Sequence, residues 1–343
     1  MSLKKKFLFK TVAGSSGPAN TFNIKTYTGN RPSNVTVNTF GFNPDLVVIK
    51  DRDNADQWSV LDTTRGQKTM AWNSTDADSD FSGGFEFTSG GFIVKNTGQA
   101  NTNGAKLVSY GWKAGGGSTS TDSNGTINST VQNDNAAGFS ISQFTNTSPG
   151  GSTTVGHGLK DADGNAATPD MIILKRNDGA EDWYYFHTAM GTSKFMRINQ
   201  TAGIGTATNL FNTVNSTVFN PSFTGATGQE CIAYSFRNVS GLRSLGSYTG
   251  DGNVGQAISC GFQPDYIFIK TTVGNDNWRL YDTARGFTSG GFIEPNRTDA
   301  EDTADAPQLA VSATGFSITS GGVTAGNNVN GNLYTYWAEK IVT

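Results

Sequence analysis

A 23-residue pattern occurs three times in this chain, at 44–66 (PDLVVIKDRDNADQWSVLDTTRG), 169–191 and 264–286. In each copy a Pro-Asp opens an apolar run. A lysine stands six residues after the proline (Lys50, Lys175, Lys270), a tryptophan eight further on (Trp58, Trp183, Trp278), and a glycine eight beyond that (Gly66, Gly191, Gly286). The stretch between lysine and tryptophan changes almost completely while its length stays constant. Two paired strands with a variable tip behave this way, because a one-residue slip would turn every inward side chain outward. Three ungapped copies imply three equivalent units.

At 343 residues the chain has room for three units of about 100 residues each. Glycine supplies 43 residues and charged side chains only 15%, the balance of short strands joined by many turns. With 22 Phe, 10 Tyr and 6 Trp, disorder is excluded and the core is expected to be aromatic and β-branched. A net charge of −3 with pI near 5.4 gives no basic footprint, so no nucleic acid partner is expected. The start, MSLKKKFLFK, is basic, but Lys10 interrupts the apolar run after Phe7, Leu8 and Phe9, which reads against a signal peptide. No apolar run is long enough to span a bilayer, so no membrane insertion is expected, and the product should assemble in a cytoplasm.

In chain order, residues 1–22 read as an N-terminal arm, and 23–114 as the first unit. In that unit Tyr27-Thr28-Gly29-Asn30 signals a turn, Val35 and Val37 alternate with polar residues, and 46–49 is apolar throughout, as in a strand covered on both faces. Residues 115–138 are Gly/Ser/Asn-rich, with almost no apolar residues beyond Ile127 and Val131, and read as a flexible linker or a long surface strap. The second unit covers 139–239, with an insertion at 160–168, and the third 240–343. The closing strands end on aromatics, which places Trp112, Phe236 and Trp337 as equivalents. The fold class expected is all-β, three tandem antiparallel β-sandwich repeats of jelly-roll or lectin-like type, each with its own core and its own tryptophan anchor. The 115–138 joint should be the first to be cut by a protease.

Chemistry is sparse. Asp62 and Arg65, with Asp282 and Arg285, frame the turn after the tryptophan strand, and the second unit has His187 and Met190 there. A turn cap tied down by an arginine fork explains these residues without catalysis. A serine or cysteine nucleophile would need a base, and the only histidines are His157 and His187. Acidic neighbours such as Asp299 and Glu301 do not by themselves make a glycosidase pair. Asp76, Asp78 and Asp80 alternate like calcium ligands, but Phe81 and Phe87 stand where that loop needs Gly and Glu; Asp161-x-Asp163-Gly164-Asn165 is shorter still. Cys231 and Cys260 lie in different units and read as small buried hydrophobes. No cofactor, metal or catalytic residue is expected.

The runs YTGN, GFNPDLVVIKDR, QWSVLDTTRG and YGWKAGGG, echoed by YTGD, GFQPDYIFIK, NWRLYDTARG and YWAEK, resemble a tandem-repeat domain of unknown function found in tailed-bacteriophage virion proteins, often tail-fibre or structural proteins. HGLKD, PDMIILKRN and WYYFHTAMG are similar to the second repeat of that family. The resemblance implies a non-enzymatic virion surface protein, a fibre, spike or capsid decoration, mediating host attachment. Host surface glycan is an expected ligand, with exposed Tyr and Trp stacking on sugar rings. The alternatives are a polysaccharide depolymerase and a purely architectural virion component. Other virion proteins are expected partners through the arm, where Lys4, Lys5, Lys6, Phe7 and Phe9 combine charge with aromatic anchors, and a homo-oligomer is expected.

Overall fold

The computed structural model describes residues 20–96, 98–147, 153–221, 227–287, 291–303, 308–320, 323 and 326–342. It is all-β, and every ladder between its strands is antiparallel. In the first unit Phe22–Thr28 pairs with Lys106–Trp112, which pairs with Leu46–Asp51, which pairs with Ser59–Asp62. The second unit repeats this order with Phe139–Asn146, Gln229–Phe236, Met171–Arg176 and Tyr184–His187. The third repeats it with Arg243–Thr249, Leu333–Glu339, Tyr266–Thr271 and Arg279–Asp282. The hairpin built on the 23-residue pattern keeps one register throughout, with Leu46 opposite Asp62, Met171 opposite His187 and Tyr266 opposite Asp282. At its far end Gly66, Gly191 and Gly286 take φ of 74°, 82° and 89°, a conformation that a side chain would strain.

Each large sheet shares a hydrophobic cluster with a three-stranded sheet, which gives the unit its sandwich. The small sheets are Val35–Val37, Gly91–Val94 and Phe85–Thr88; Val155–Gly156, Val218–Pro221 and Leu210–Val214; and Ala257–Ser259, Gly315–Ile318 and Leu309–Ser312. The pattern strands alternate between two cores. Val47 and Ile49 face the first unit's own cluster, as Ile172 with Leu174 and Ile267 with Ile269 face theirs. Leu46 and Val48, Met171 and Ile173, and Tyr266 and Phe268 face the other way, into a fourth cluster that draws on all three units. This double burial is why the apolar run is continuous.

The expectation of three separately cored units is therefore corrected. The units have individual clusters, but a shared one joins them, and Trp58, Trp183 and Trp278, each fully buried, belong to the shared one. Each tryptophan holds a neighbour rather than only its own unit. Trp58 Nε1 donates to the Arg297 carbonyl (3.2 Å), Trp183 Nε1 to that of Ala71 (2.8 Å) and Trp278 Nε1 to that of Arg197 (2.9 Å). The lysines run the same way, Lys50 Nζ to the Thr298 carbonyl, Lys175 Nζ to Thr75 and Lys270 Nζ to Thr201, each at 3.0 Å. The first unit grips the third, the second grips the first, and the third grips the second. The three units close into a head-to-tail ring.

Three further corrections follow. Residues 115–138 are no linker: Ser120–Asp122 and Ser129–Asp134 pair with each other and extend the second unit's sheet beyond Phe139–Asn146. Gln132 Nε2 also reaches Thr63 Oγ1 of the first unit at 2.8 Å, so this stretch is tied to both neighbouring units. The arm cannot extend to residue 22, because Phe22 is fully buried opposite Trp112 in the shared core. Finally, the register places Glu339, not Trp337, at the position of Trp112 and Phe236: Leu46 faces Trp112, Met171 faces Phe236 and Tyr266 faces Glu339. Trp337 takes the place held by Tyr110 and Tyr234.

Candidate functional site

The polar residues of the repeated pattern hold strands within each unit as well as the ring. The aspartate of each Pro-Asp accepts a main-chain N–H just past the closing strand, Ala114 to Asp45 (2.7 Å), Asn238 to Asp170 (2.7 Å) and Ile341 to Asp265 (2.8 Å). An asparagine that the pattern does not include caps each tryptophan strand: Asn73, Asn199 and Asn296 accept the N–H of Trp58, Trp183 and Trp278 at 3.0 Å. Burial pushes each of the three lysines down to about 8, and their main-chain acceptors keep them in place.

Asp62 and Arg65 form a buried pair (2.6 Å), and Asp62 also accepts the Tyr234 hydroxyl of the second unit at 2.7 Å. Asp282 and Arg285 pair likewise (2.5 Å), and Asp282 accepts the Tyr110 hydroxyl of the first unit at 2.7 Å. Burial opposes each arginine's charge, but its aspartate together with the other groups around it, Asp78 at Arg65 and Glu301 at Arg285 among them, lifts the guanidinium above its ordinary value. Burial and the same aspartates hold both tyrosines well above the usual phenol range, so they donate rather than ionise. At the seam between the second and third units all of these types are replaced, by His187, Met190 and Trp337.

His187 is buried at that seam, its Nδ1 accepting the Ala189 N–H (3.1 Å). Burial pushes its pKa down to about 4. The neutral form therefore stabilises the fold fully above the unfolded value near 6.5, and this contribution is lost as pH falls from there to about 4. A loss on the order of 3 kcal/mol over that window is expected. His187→Asn should flatten the dependence of Tm on pH between about 4 and 6.5, and an unchanged slope would show that His187 is not the group responsible.

The shared core also meets a third buried ion pair, between Arg243 and Glu339. Arg243 Nε and Glu339 Oε1 lie 2.6 Å apart with both side chains inaccessible. They stand cross-strand where the other units have Phe22 with Trp112 and Phe139 with Phe236. Glu339 Oε1 accepts Trp112 Nε1 (3.2 Å) and Trp337 Nε1 (2.8 Å), while Arg243 Nη1 donates to the carbonyls of Ala137 (2.6 Å) and Gly138 (3.0 Å). Three units thus meet at one charge pair. Burial holds the Glu339 carboxyl above the ordinary range, against the pull of Arg243.

The remaining candidates do not converge. His157 is buried within the second unit, its Nε2 3.1 Å from the Asn215 carbonyl, and burial pushes the Cys231 thiol up and that of Cys260 to about 12. Asp78 bonds Asn177 across a unit boundary, Asp76 accepts from Ser74, and Asp161 closes its own turn on Asn165. Among the described residues no three His, Cys, Asp or Glu side chains come together to hold a metal. Lys4, Lys5, Lys6, Phe7 and Phe9 lie outside the described residues.

What is left for a ligand is at the surface, and it exposes no tryptophan: all six are buried, so the expected stacking surface of exposed Trp is corrected. A trough of 360 Å³ runs over the outer strands of the second unit, walled by Thr121, Asn128, Thr130, Gln143, Thr145 and Glu230. Its floor continues the sheet face that carries Ile141 and Ile232 in the shared core, since Gln143 and Thr145 follow Ile141 at two-residue steps and Glu230 precedes Ile232. Sequence reasoning missed it because it stood on residues taken for a linker; the alternating Thr/Val/Gln order of 130–132 was the available signal. A second cavity, of 300 Å³, is acidic, with Phe292, Glu294, Asp299 and Asp302 in its wall.

No curated protein and no solved structure matches this chain. The model of one family matches residues 17–340, a span that takes in all three units. The chain belongs to that family, described as Domain of unknown function (DUF7483).

Proposed function

We propose that this protein is a non-enzymatic bacteriophage virion surface component, a fibre, spike or capsid decoration that serves attachment, with host surface glycan as its ligand. Its units are read as jelly-roll or lectin-like sandwiches. The observation that carries the reading is where the reactive groups stand: Asp62, Arg65, Asp282, Arg285, His157, His187 and Cys231 are all buried, most of them in contacts that join strands or units. The resemblance of the repeated motifs to virion proteins supports it. The protein assembles in the host cytoplasm and joins other virion proteins through the arm, with Lys4, Lys5, Lys6, Phe7 and Phe9 as the contacts. A homo-oligomer forms through outer loops or the arm, because the faces that meet in the ring are already covered.

Antibody labelling of purified particles tests the placement, and its absence from particles would overturn the reading. Deleting residues 1–19, which spares Phe22 and its strand, should abolish incorporation into particles without changing Tm; incorporation at normal occupancy would move the anchor onto a unit.

The acidic cavity favours a second reading, a polysaccharide depolymerase. Burial raises the Glu294 carboxyl above its ordinary value while Asp299 stands exposed beside it, two environments of the kind that general acid and base require. Arg297 pairs with both, which also accounts for them as a surface ion cluster. On the leading reading the protein releases no reducing ends from host polysaccharide. Release abolished by Glu294→Gln would favour the depolymerase.

A further inference from the structure

The 360 Å³ trough is lined mainly by polar side chains. Its neighbours on the same strands and turns satisfy one another: Asn124 bonds Asp122, Asn133 bonds Asn135, and Gln132 bonds Thr63. Among the described residues, the side chains of Thr121, Asn128, Thr130, Gln143, Thr145 and Glu230 make no hydrogen bond or ion pair within the chain. Register holds three of them in a row, with Thr121 opposite Thr130 and Thr130 opposite Gln143, and sets Thr145 opposite Glu230 beside that row. Cross-strand neighbours on one face stand about 5 Å apart, so side chains from adjacent strands can reach different hydroxyls of one sugar. Three threonine hydroxyls and two carboxamides offer donors and acceptors together, as a sugar hydroxyl does, and no cation is present for a phosphate or carboxylate. The volume lies within the range of small-ligand sites.

We infer that this trough binds an uncharged saccharide, its hydroxyls bonded by Thr121, Asn128, Thr130, Gln143 and Thr145, with Glu230 excluding acidic sugars. The inference deepens the attachment reading above and rests on it for its biological setting. The strands Ser120–Asp122 and Ser129–Asp134 flank the second unit's sheet, and the first and third units have no counterpart among the described residues, so the ring carries one such site. Without an aromatic platform the affinity of a single site is low, and many copies on a particle would raise it.

The test is titration of the full chain with maltotriose, lactose and diacetylchitobiose, and with a hyaluronate tetrasaccharide as the acidic probe, followed by NMR. At least one neutral probe should shift the signals of Thr130, Gln143 and Thr145. Thr130→Ala with Gln143→Ala should weaken that binding about tenfold with Tm unchanged, because two hydrogen bonds to the sugar are removed. Hyaluronate should bind only after Glu230→Gln. The inference is overturned if no neutral probe shifts these signals, or if the double variant binds as before. Particle labelling is independent of this result: a particle-borne protein that binds no saccharide sinks only the trough, and a saccharide binder absent from particles sinks only the virion reading.

Discussion

Trp278→Ala is expected to destabilise the whole ring by about 3–5 kcal/mol, not the third unit alone. The indole is fully buried, packs on Phe268 of its own unit and Tyr185 of the second (both 5.0 Å between ring centres), and donates to the Arg197 carbonyl. Truncation therefore leaves a cavity on a unit boundary and removes the donor shared by the carbonyls of Arg197 and Gln200. Urea unfolding followed in parallel by fluorescence and far-ultraviolet circular dichroism checks this, with both signals moving together to a lower midpoint. An early partial transition, with two units left folded, would mean that Trp278 serves only its own sandwich.

Arg243→Met should cost a similar 3–5 kcal/mol, because it leaves the Glu339 carboxylate buried without a counter-charge. Adding Glu339→Gln should recover a large part of the loss, since the amide oxygen still accepts from Trp112 and Trp337 while no charge is left unpaired. The comparison separates desolvation from packing. A double variant no more stable than the single would show that the arginine's bonds to Ala137 and Gly138, or its stacking 4.8 Å over Phe236, carry the effect.

The sandwiches were legible in the sequence, and the ring was not. Constant spacing between Lys50 and Trp58, Lys175 and Trp183, and Lys270 and Trp278 reports hairpin register, which is local. The contacts that close the ring end largely on main-chain carbonyls of Thr75, Thr201 and Thr298, and a carbonyl leaves no mark on residue type. The continuous apolar run at 46–49 announced burial on both faces but not that the second covering layer is another unit. Trp337 misled because an aromatic near a strand end looks equivalent to Trp112, whereas the two-residue offset is fixed by pairing with Tyr266–Thr271. The hairpin at 120–134 was hidden because its outward face is Thr and Asn; Val131 and Ile127, both buried, were read as stray apolar residues. The acid and arginine turn reads in the sequence as a capped turn, and nothing there marks that its tyrosine partners come from the neighbouring units.

The closed ring with a shared core is tested most directly by differential scanning calorimetry of the intact chain. One transition whose calorimetric enthalpy equals its van't Hoff enthalpy is predicted, because no unit can leave without uncovering the faces of the other two. Two or three resolved transitions, or a calorimetric enthalpy about three times the van't Hoff value, would mean three independently folding units and would contradict the ring.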